Sequence, residues 1–295
     1  MKTFSFSWFF TIFMFIPCLA LFPQKAAKDN PLRVMTYNIR YAGTVASDSA
    51  FAWENRKEQV ASMVRFNRAD IAGMQEVLKL QLDDLKKMLP EFDALGLGRD
   101  DGKESGEYSA IFYRKNRLSV LKSATFWLSE TPGKVSKGWD AACNRVVTWA
   151  KFKDKMTGKV FFHFNTHFDH IGEAARNNSA FLLLNKVKEI AGNFPVIVTG
   201  DFNFTADSKY YKILTESKAN PELEVLKDAQ NISLYPHYGG HVSFNDFGRN
   251  TDPNNKIDYI FVKNQVKVIN HGIIGEKLNG RYPSDHMPVV ADIIP

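Results

Sequence analysis

The chain is short of sulfur, repeats and histidine-rich metal motifs, and each shortage removes a class of protein. Cys18 and Cys143 are the only 2 cysteines among 295 residues. That is too few for a disulfide framework, so the fold must rest on core packing. If the N-terminus is removed, Cys143 stands alone, and its expected place is as a small buried residue rather than a nucleophile. Nothing repeats at the periods of about 20–50 residues that mark solenoids, and no stretch is low-complexity. No His-Glu-x-x-His helix is present, which excludes the commonest zinc hydrolase motif. Dense Lys/Arg runs are also missing, so a strong non-specific nucleic-acid binder is not implied.

What is there is ordinary globular composition, 44% hydrophobic and 24% charged, on a chain long enough to bury a sizeable core. Net charge is +6, or +5 without Lys2, the sole charged residue before position 25. That mild excess suits a phosphate-bearing substrate. Residues 1–24 read as a signal peptide, with an apolar core over Trp8–Ile16 followed by Pro17 and the small Ala20. An uncleaved anchor is the alternative, because the run approaches bilayer-spanning length. A lipoprotein at Cys18 is a further one, although Phe15-Ile16-Pro17 makes a poor lipobox. The expected product is exported to the periplasm or beyond, with no stable membrane span after cleavage, and is a monomer. Residues 25–31 read as a linker and 32–295 as one α/β domain.

Apolar and β-branched runs predict strands at 32–38, 70–74, 108–114, 118–121, 125–128, 146–152, 160–168, 195–199, 256–262 and 288–294. Helical spacing predicts helices at 53–67, 80–89 and 173–190. Many strands follow one another without a helix between them, which disfavours a fully parallel doubly wound sheet. In 160–168, Phe161, His163, Asn165, His167 and Asp169 share one face. His163 reads as structural.

Five polar clusters stand at the ends of apolar strands, where loops are rigidly anchored. They are Tyr37-Asn38-Ile39-Arg40, Gln75-Glu76, Asn165-Thr166-His167-Phe168-Asp169, Gly200-Asp201-Phe202-Asn203, and Asp285-His286, the last with Ile257-Asp258-Tyr259 ahead of it. The set is mostly oxygen ligands, which suits Mg2+, with Mn2+ or Ca2+ as alternatives, rather than zinc. Each cluster alone also reads as a turn or helix cap. Their co-occurrence in this order is what carries information.

Together these motifs resemble the endonuclease/exonuclease/phosphatase superfamily, over roughly residues 32–294. The resemblance implies a four-layer α/β sandwich, two packed mixed β-sheets flanked by helices. It implies metal-site roles for Asn38, Glu76 and Asp285. Asp201 and Asn203 would position water and phosphate. His286, paired with Asp258, would serve as base or phosphate contact, and His167 as acid or transition-state stabiliser opposite. Arg40, His167, Glu107 and the Asn144-Arg145 pair resemble the deoxyribonuclease-I branch. There Glu107 would orient His167 and keep it protonated near neutral pH, and Arg145 would contact phosphate. The segment Phe126–Pro132 with Gly138–Ala142 departs from that branch and resembles a secreted bacterial subgroup. Trp127 and Trp139 in it would wall a pocket or lie in the core. The implied activity is metal-dependent hydrolysis of a phosphodiester or phosphomonoester of unspecified identity by in-line attack of water. A secreted DNA or RNA endonuclease and a non-catalytic binding module are the rivals. A nuclease would need basic residues tracking a backbone, for which Arg40, Arg99, Lys103, Arg145, Lys151 and Arg176 are available.

Overall fold

The computed structural model describes residues 1, 30–43, 49–218 and 224–295. The expected signal segment and most of the linker lie outside the described residues. Among the described residues, no helix is long and apolar enough to cross a membrane.

In chain order the principal elements are β1 (Leu32–Asn38), α1 (Lys57–Phe66), β2 (Ile71–Val77), α2 (Lys79–Met88), β3 (Phe92–Leu95), β4 (Tyr108–Arg114), β5 (Leu118–Trp127), β6 (Val146–Asp154) and β7 (Val160–His167). They continue with α3 (Glu173–Ala191), β8 (Val196–Asp201), α4 (Lys209–Thr215), β9 (Lys227–Asp228), α5 (Ala229–Ile232), β10 (Tyr238–Gly239), β11 (Asp258–Lys263), β12 (Lys267–Ile273) and β13 (Val289–Ile294). A 7-stranded sheet runs β10-β12-β13-β1-β2-β4-β3 and a 6-stranded sheet runs β5-β6-β7-β8-β11-β9. Both are mixed: β1 and β2 are parallel, as are β7 and β8, while β13, β4, β6 and β11 pair antiparallel with them. The two sheets pack face to face with helices outside, which is the expected four-layer sandwich.

Period-2 alternation explains the layering. From β1, Met35 and Tyr37 join Val60, Val64 and Leu85 of the helices in one outer core. Leu32 and Val34 point the other way, into an inter-sheet core with Phe152, Phe161, Ile197 and Ile260. On the far side, Phe162, Phe164 and Val198 pack against Leu183, Leu184 and Leu214. The inter-sheet face changes character along each strand. It reads Leu32, Val34, Thr36, Asn38 in β1, Phe161, His163, Asn165, His167 in β7, and Ile197, Thr199, Asp201 in β8. One end of the layer is therefore apolar and the other polar, and the polar ends meet.

The polar half is satisfied across the sheets. The Asn165 amide donates to the Met74 and Ala110 carbonyls at 2.9 and 2.8 Å, and its Oδ1 accepts from Gln75 Nε2 at 2.7 Å. Thr199 Oγ1 also donates to Asn165 Oδ1 at 3.0 Å. Gly73 makes room for this: a Cβ there would stand 2.0 Å from Thr199 Oγ1 and 2.4 Å from Asn165 Oδ1. Gln75 is thus a structural bridge, and the polar face of β7 lies against the second sheet.

Two expectations are corrected. The separate strands at 118–121 and 125–128 are one strand, β5, with a register shift between Val120 and Lys122. β3, α4, β9, α5, β10 and β12 are additional to the expected elements. Trp127 is buried, its indole N–H donating to the Arg99 carbonyl at 2.8 Å, and Trp139 is half-buried outside the main cavity.

His163 is fully buried with Nε2 2.8 Å from Thr199 Oγ1, and burial pushes its pKa down to about 3. Kept neutral in the fold, it contributes stability that is complete above the unfolded pKa near 6.5 and is lost as pH falls from there towards about 3. We expect stability from denaturant melts to fall on acidification across that window, and His163→Gln to flatten the slope by up to about 1.4 kcal/mol per pH unit. An unchanged slope would assign acid lability elsewhere.

Candidate active site

The polar strand ends surround one hub. Asp201, the last residue of β8, lies opposite His167 of β7 on one side and Asp258 of β11 on the other in the sheet register. Its Oδ2 accepts from Asn38 Nδ2 at 2.9 Å and lies 3.4 Å from His167 Nε2 and 3.7 Å from His286 Nε2. Its Oδ1 accepts the Asn203 backbone N–H at 3.0 Å. Burial, with Asp258 adding repulsion, raises the Asp201 pKa to about 7, although His286 and Asn38 pull it down. Burial alone would push His286 down, but Asp258, bonded to Nδ1 at 2.8 Å, and Asp201 more than offset it and hold the imidazole at about 10.

Beside this hub stand Glu76 and Asp285. Glu76 Oε1 accepts from Asn38 Nδ2 at 3.0 Å and Oε2 from the Tyr41 N–H at 3.0 Å. Arg40 lies between the carboxylates, 3.5 Å from Glu76 and 3.6 Å from Asp285. Burial raises Glu76, but Arg40 and Asn38 outweigh it and leave the group below its usual range. Asp285 is raised, by burial and by repulsion from Glu76.

Three non-glycine residues here adopt left-handed backbone: Arg40 at φ 56°, Glu76 at φ 61° and Asn203 at φ 53°. In β2 the pairing with β4 shifts between Met74 and Val77, so a bulge re-aims Glu76 towards the cavity. Such conformations cost of order 1–3 kcal/mol each and persist where packing over-determines them. One clamp is Arg56, a buried guanidinium that donates to the carbonyls of Ile39, Arg40 and Pro283 and so ties the Asn38 loop to the Asp285 loop.

The structure brings every sequence-expected site residue to this end of the sandwich. The main cavity, about 570 Å³, is lined by Glu76, Glu107, Arg145, His167, Asp201, Asn203, Asp285 and His286, with Arg40, Arg99, His170, Phe244 and Asp246 among the other walls. Asn38 and Asp258 stand behind it, bonded to Asp201 and to His286 respectively. Arg145 is buried, with Nε on Asp169 at 3.2 Å, Nη2 on His170 Nδ1 at 2.8 Å, and Nη1 without a partner. Cys143 also faces the cavity, half-buried, with its thiol pushed up by burial.

One expectation is not met. Glu107 does not bond His167: their nearest atoms are 3.9 Å apart, and Arg99 takes both carboxylate oxygens at 2.7 and 2.9 Å. Asn203 Nδ2 donates to the Phe168 carbonyl at 2.9 Å, so the same amide group at 3.0 Å donates to His167 Nε2, leaving the proton on Nδ1. Burial and then Arg145, Arg99 and His286 hold the imidazole well below its usual range, so His167 is neutral in this arrangement. Sequence reasoning also missed Arg56, Arg99 as the partner of Glu107, and His170. Only His170, next to Asp169, carried a local signal.

Buried carboxylates, an imidazole held between two of them, and cations facing a cavity at one end of a two-sheet sandwich define a hydrolase. The chain belongs to the Endonuclease/Exonuclease/phosphatase family, whose sequence profile matches residues 35–286. It is 46% identical to a family member from Bacteroides vulgatus, over 90% of this chain and 98% of that one, with a TM-score of 0.83. It is 41% identical to a mannosyl-6-phosphatase from Bacteroides thetaiotaomicron, over 89% and 99% of the two chains, with a TM-score of 0.80. A protein of Acanthamoeba polyphaga mimivirus without an assigned function is 27% identical over 88% of this chain and 98% of its own length.

Hydrolases of this family depend on a divalent metal. Asp201, Asp258 and His286 bring ligand atoms within 4.8 Å of one another, close enough to hold one. While His286 is protonated between its two carboxylates, the same approach reads as a hydrogen-bonded relay, and a cation would enter only by displacing that proton. Glu76 and Asp285 offer hard oxygens and repel each other, but Arg40 stands 3.5 and 3.6 Å from them, so a cation between them would have to displace its guanidinium instead of a proton. Asn38 orients both sides, its NH2 held by Glu76 and Asp201 and its Oδ1 by the Arg40 N–H.

Proposed function

We propose that the chain is an exported, Mg2+-dependent phosphoesterase that removes phosphate from a small hydroxylated molecule of the sugar phosphate class. The observation that carries this reading is a cavity of about 570 Å³ that Asp201 lines and whose guanidiniums are fixed by internal partners. Arg40 is held by Glu76 and Asp285, Arg99 by Glu107, and Arg145 by Asp169. Arg176 donates to the Asp169 carbonyl. These are four of the six basic residues that a nuclease would need free along a backbone. The likeness to a mannosyl-6-phosphatase supports the same choice, and export rests on the apolar N-terminus.

In this reading Glu76 and Asp285, oriented by Asn38, hold the cation, which when bound neutralises phosphate oxygens and the departing alkoxide. Asp201, with a pKa near the working pH, accepts the proton of the attacking water. His286, charged and fixed by Asp258, contacts the phosphate, and Arg145 in the cavity wall adds positive charge beside it. Asn203, with its NH2 committed, presents Oδ1 to the water. His167 supports Asn203 and Asp201, and takes a proton for the leaving oxygen only when Glu107 is freed from Arg99.

Purified protein with Mg2+ is expected to release inorganic phosphate from mannose 6-phosphate with turnover on the order of 1 s⁻¹ or faster, and to leave supercoiled plasmid intact. Nicked plasmid without phosphate release would select the nuclease reading instead.

A further inference from the structure

The segment around Gly138–Ala142 is unexplained by the hydrolytic site, yet it is interlocked with the loop that follows His167. Asp140 accepts the Ala174 and Ala175 N–H groups at 3.1 and 2.7 Å and so caps α3 from outside. In return Asp169 accepts the Ala142, Ile171 and Gly172 N–H groups at 3.0, 3.0 and 2.7 Å, and Arg145 Nε at 3.2 Å. Gly172 permits the close approach, because a Cβ there would lie 2.5 Å from Asp140 Oδ1. Arg176 closes the loop by donating to the Asp169 carbonyl at 2.9 Å.

The product of this interlock is His170. Its Nδ1 is 2.8 Å from Arg145 Nη2. Arginine only donates, so Nδ1 must be the lone-pair nitrogen and Nε2 must carry the proton. The imidazole is exposed at the cavity rim, three positions past His167 on the side assigned to the leaving group. A fixed, neutral N–H donor stands there, on a ring that cannot turn over without losing Arg145.

We propose that His170 is a specificity residue whose Nε2–H binds a hydroxyl of the leaving group, and that the 138–145 loop holds it in place through Asp169 and Arg145. The inference rests on the sugar phosphate reading above. It predicts discrimination between monoesters that carry hydroxyls and monoesters that do not.

The test compares mannose 6-phosphate with phenyl phosphate, which has no hydroxyl to bind, for wild type, His170→Phe and His170→Gln. His170→Phe is expected to lower kcat/KM on mannose 6-phosphate by about tenfold, the scale of one lost hydrogen bond in a cavity. Its kcat/KM on phenyl phosphate is expected to fall by less, by what Arg145 contributes once its Nη2 lacks an acceptor, so the ratio of the two substrates is the readout. His170→Gln, which keeps an acceptor for Arg145 and an N–H at similar reach, is expected to recover most of the loss. Equal losses on both substrates would make His170 a phosphate contact and overturn the proposal, as would no loss on either. Wild type that hydrolyses phenyl phosphate and no sugar phosphate would overturn the substrate reading itself, a failure visible before any variant is made.

Discussion

Asp201→Asn should lower kcat by about three orders of magnitude or more and change stability little above neutral pH, where relief of a buried charge and loss of an acceptor oppose each other. The two halves share one cause. Asp201 is buried against Asp258, and its pKa is raised from 3.8 to about 7. An acid held protonated in the fold contributes stability that is full below the unfolded pKa, near 3.8, and is lost as pH rises through about 7. Above that the group is a costly buried charge, and it is also then the base the reaction needs. Asparagine keeps the shape and removes the charge and the basicity, while its NH2 opposes one of the two donors, Asn38 Nδ2 or the Asn203 N–H. Wild-type activity should accordingly rise with pH through the neutral range. His286→Ala should fall comparably in kcat, because it removes the cation that faces Asp201. Stopped assays for kcat, with thermal melts at pH 8, check both halves. Turnover near wild type in Asp201→Asn would remove this residue from the chemistry, and a large drop in melting temperature would recast it as structural.

The fold was legible where strands alternate cleanly and obscure where polar residues interrupt them. In β7 the period-2 pattern separated His163, Asn165 and His167 from Phe162 and Phe164 correctly. It could not say that the polar face would meet a second sheet, since that depends on Gly73, Gln75 and Thr199 from distant strands. β12 was hidden by Lys267, Asn270 and His271 and by a register shift between Val268 and Asn270. α4 is a short helix whose Tyr210 and Tyr211 carry no clear helical period. At the site, residues whose chemistry stands at a strand end could be named from the sequence. Those whose role is a long-range contact could not. Arg56 sits in a stretch read as ordinary helix, and its value appears only when Pro283 comes beside it. The resemblance pairs Glu107 with His167, and nothing local in the sequence shows that Arg99 reaches it first.

Glu76→Gln should raise the Mg2+ concentration for half-maximal activity by at least about tenfold, the worth of one charge-assisted contact, and should abolish most of the stabilisation that Mg2+ gives. Glu76 is aimed by a bulge and a left-handed φ of 61°, and both its oxygens already accept, from Asn38 and from the Tyr41 N–H. A glutamine would oppose an NH2 to one of those donors, at about 1–3 kcal/mol for an unsatisfied buried pair, as well as lose the charge. In wild type, cation at about a hundred times its Kd contributes about 2.7 kcal/mol, or roughly 5–10 °C in Tm for a domain of this size. Melts with and without Mg2+ on wild type, Glu76→Gln and Asp258→Asn therefore locate the cation as well as test for it. A shift lost in Glu76→Gln and kept in Asp258→Asn places it between Glu76 and Asp285. The reverse pattern places it among Asp201, Asp258 and His286, where it would have to displace the His286 proton, and binding would then weaken steeply as pH falls. Activity that survives exhaustive chelation would exclude both.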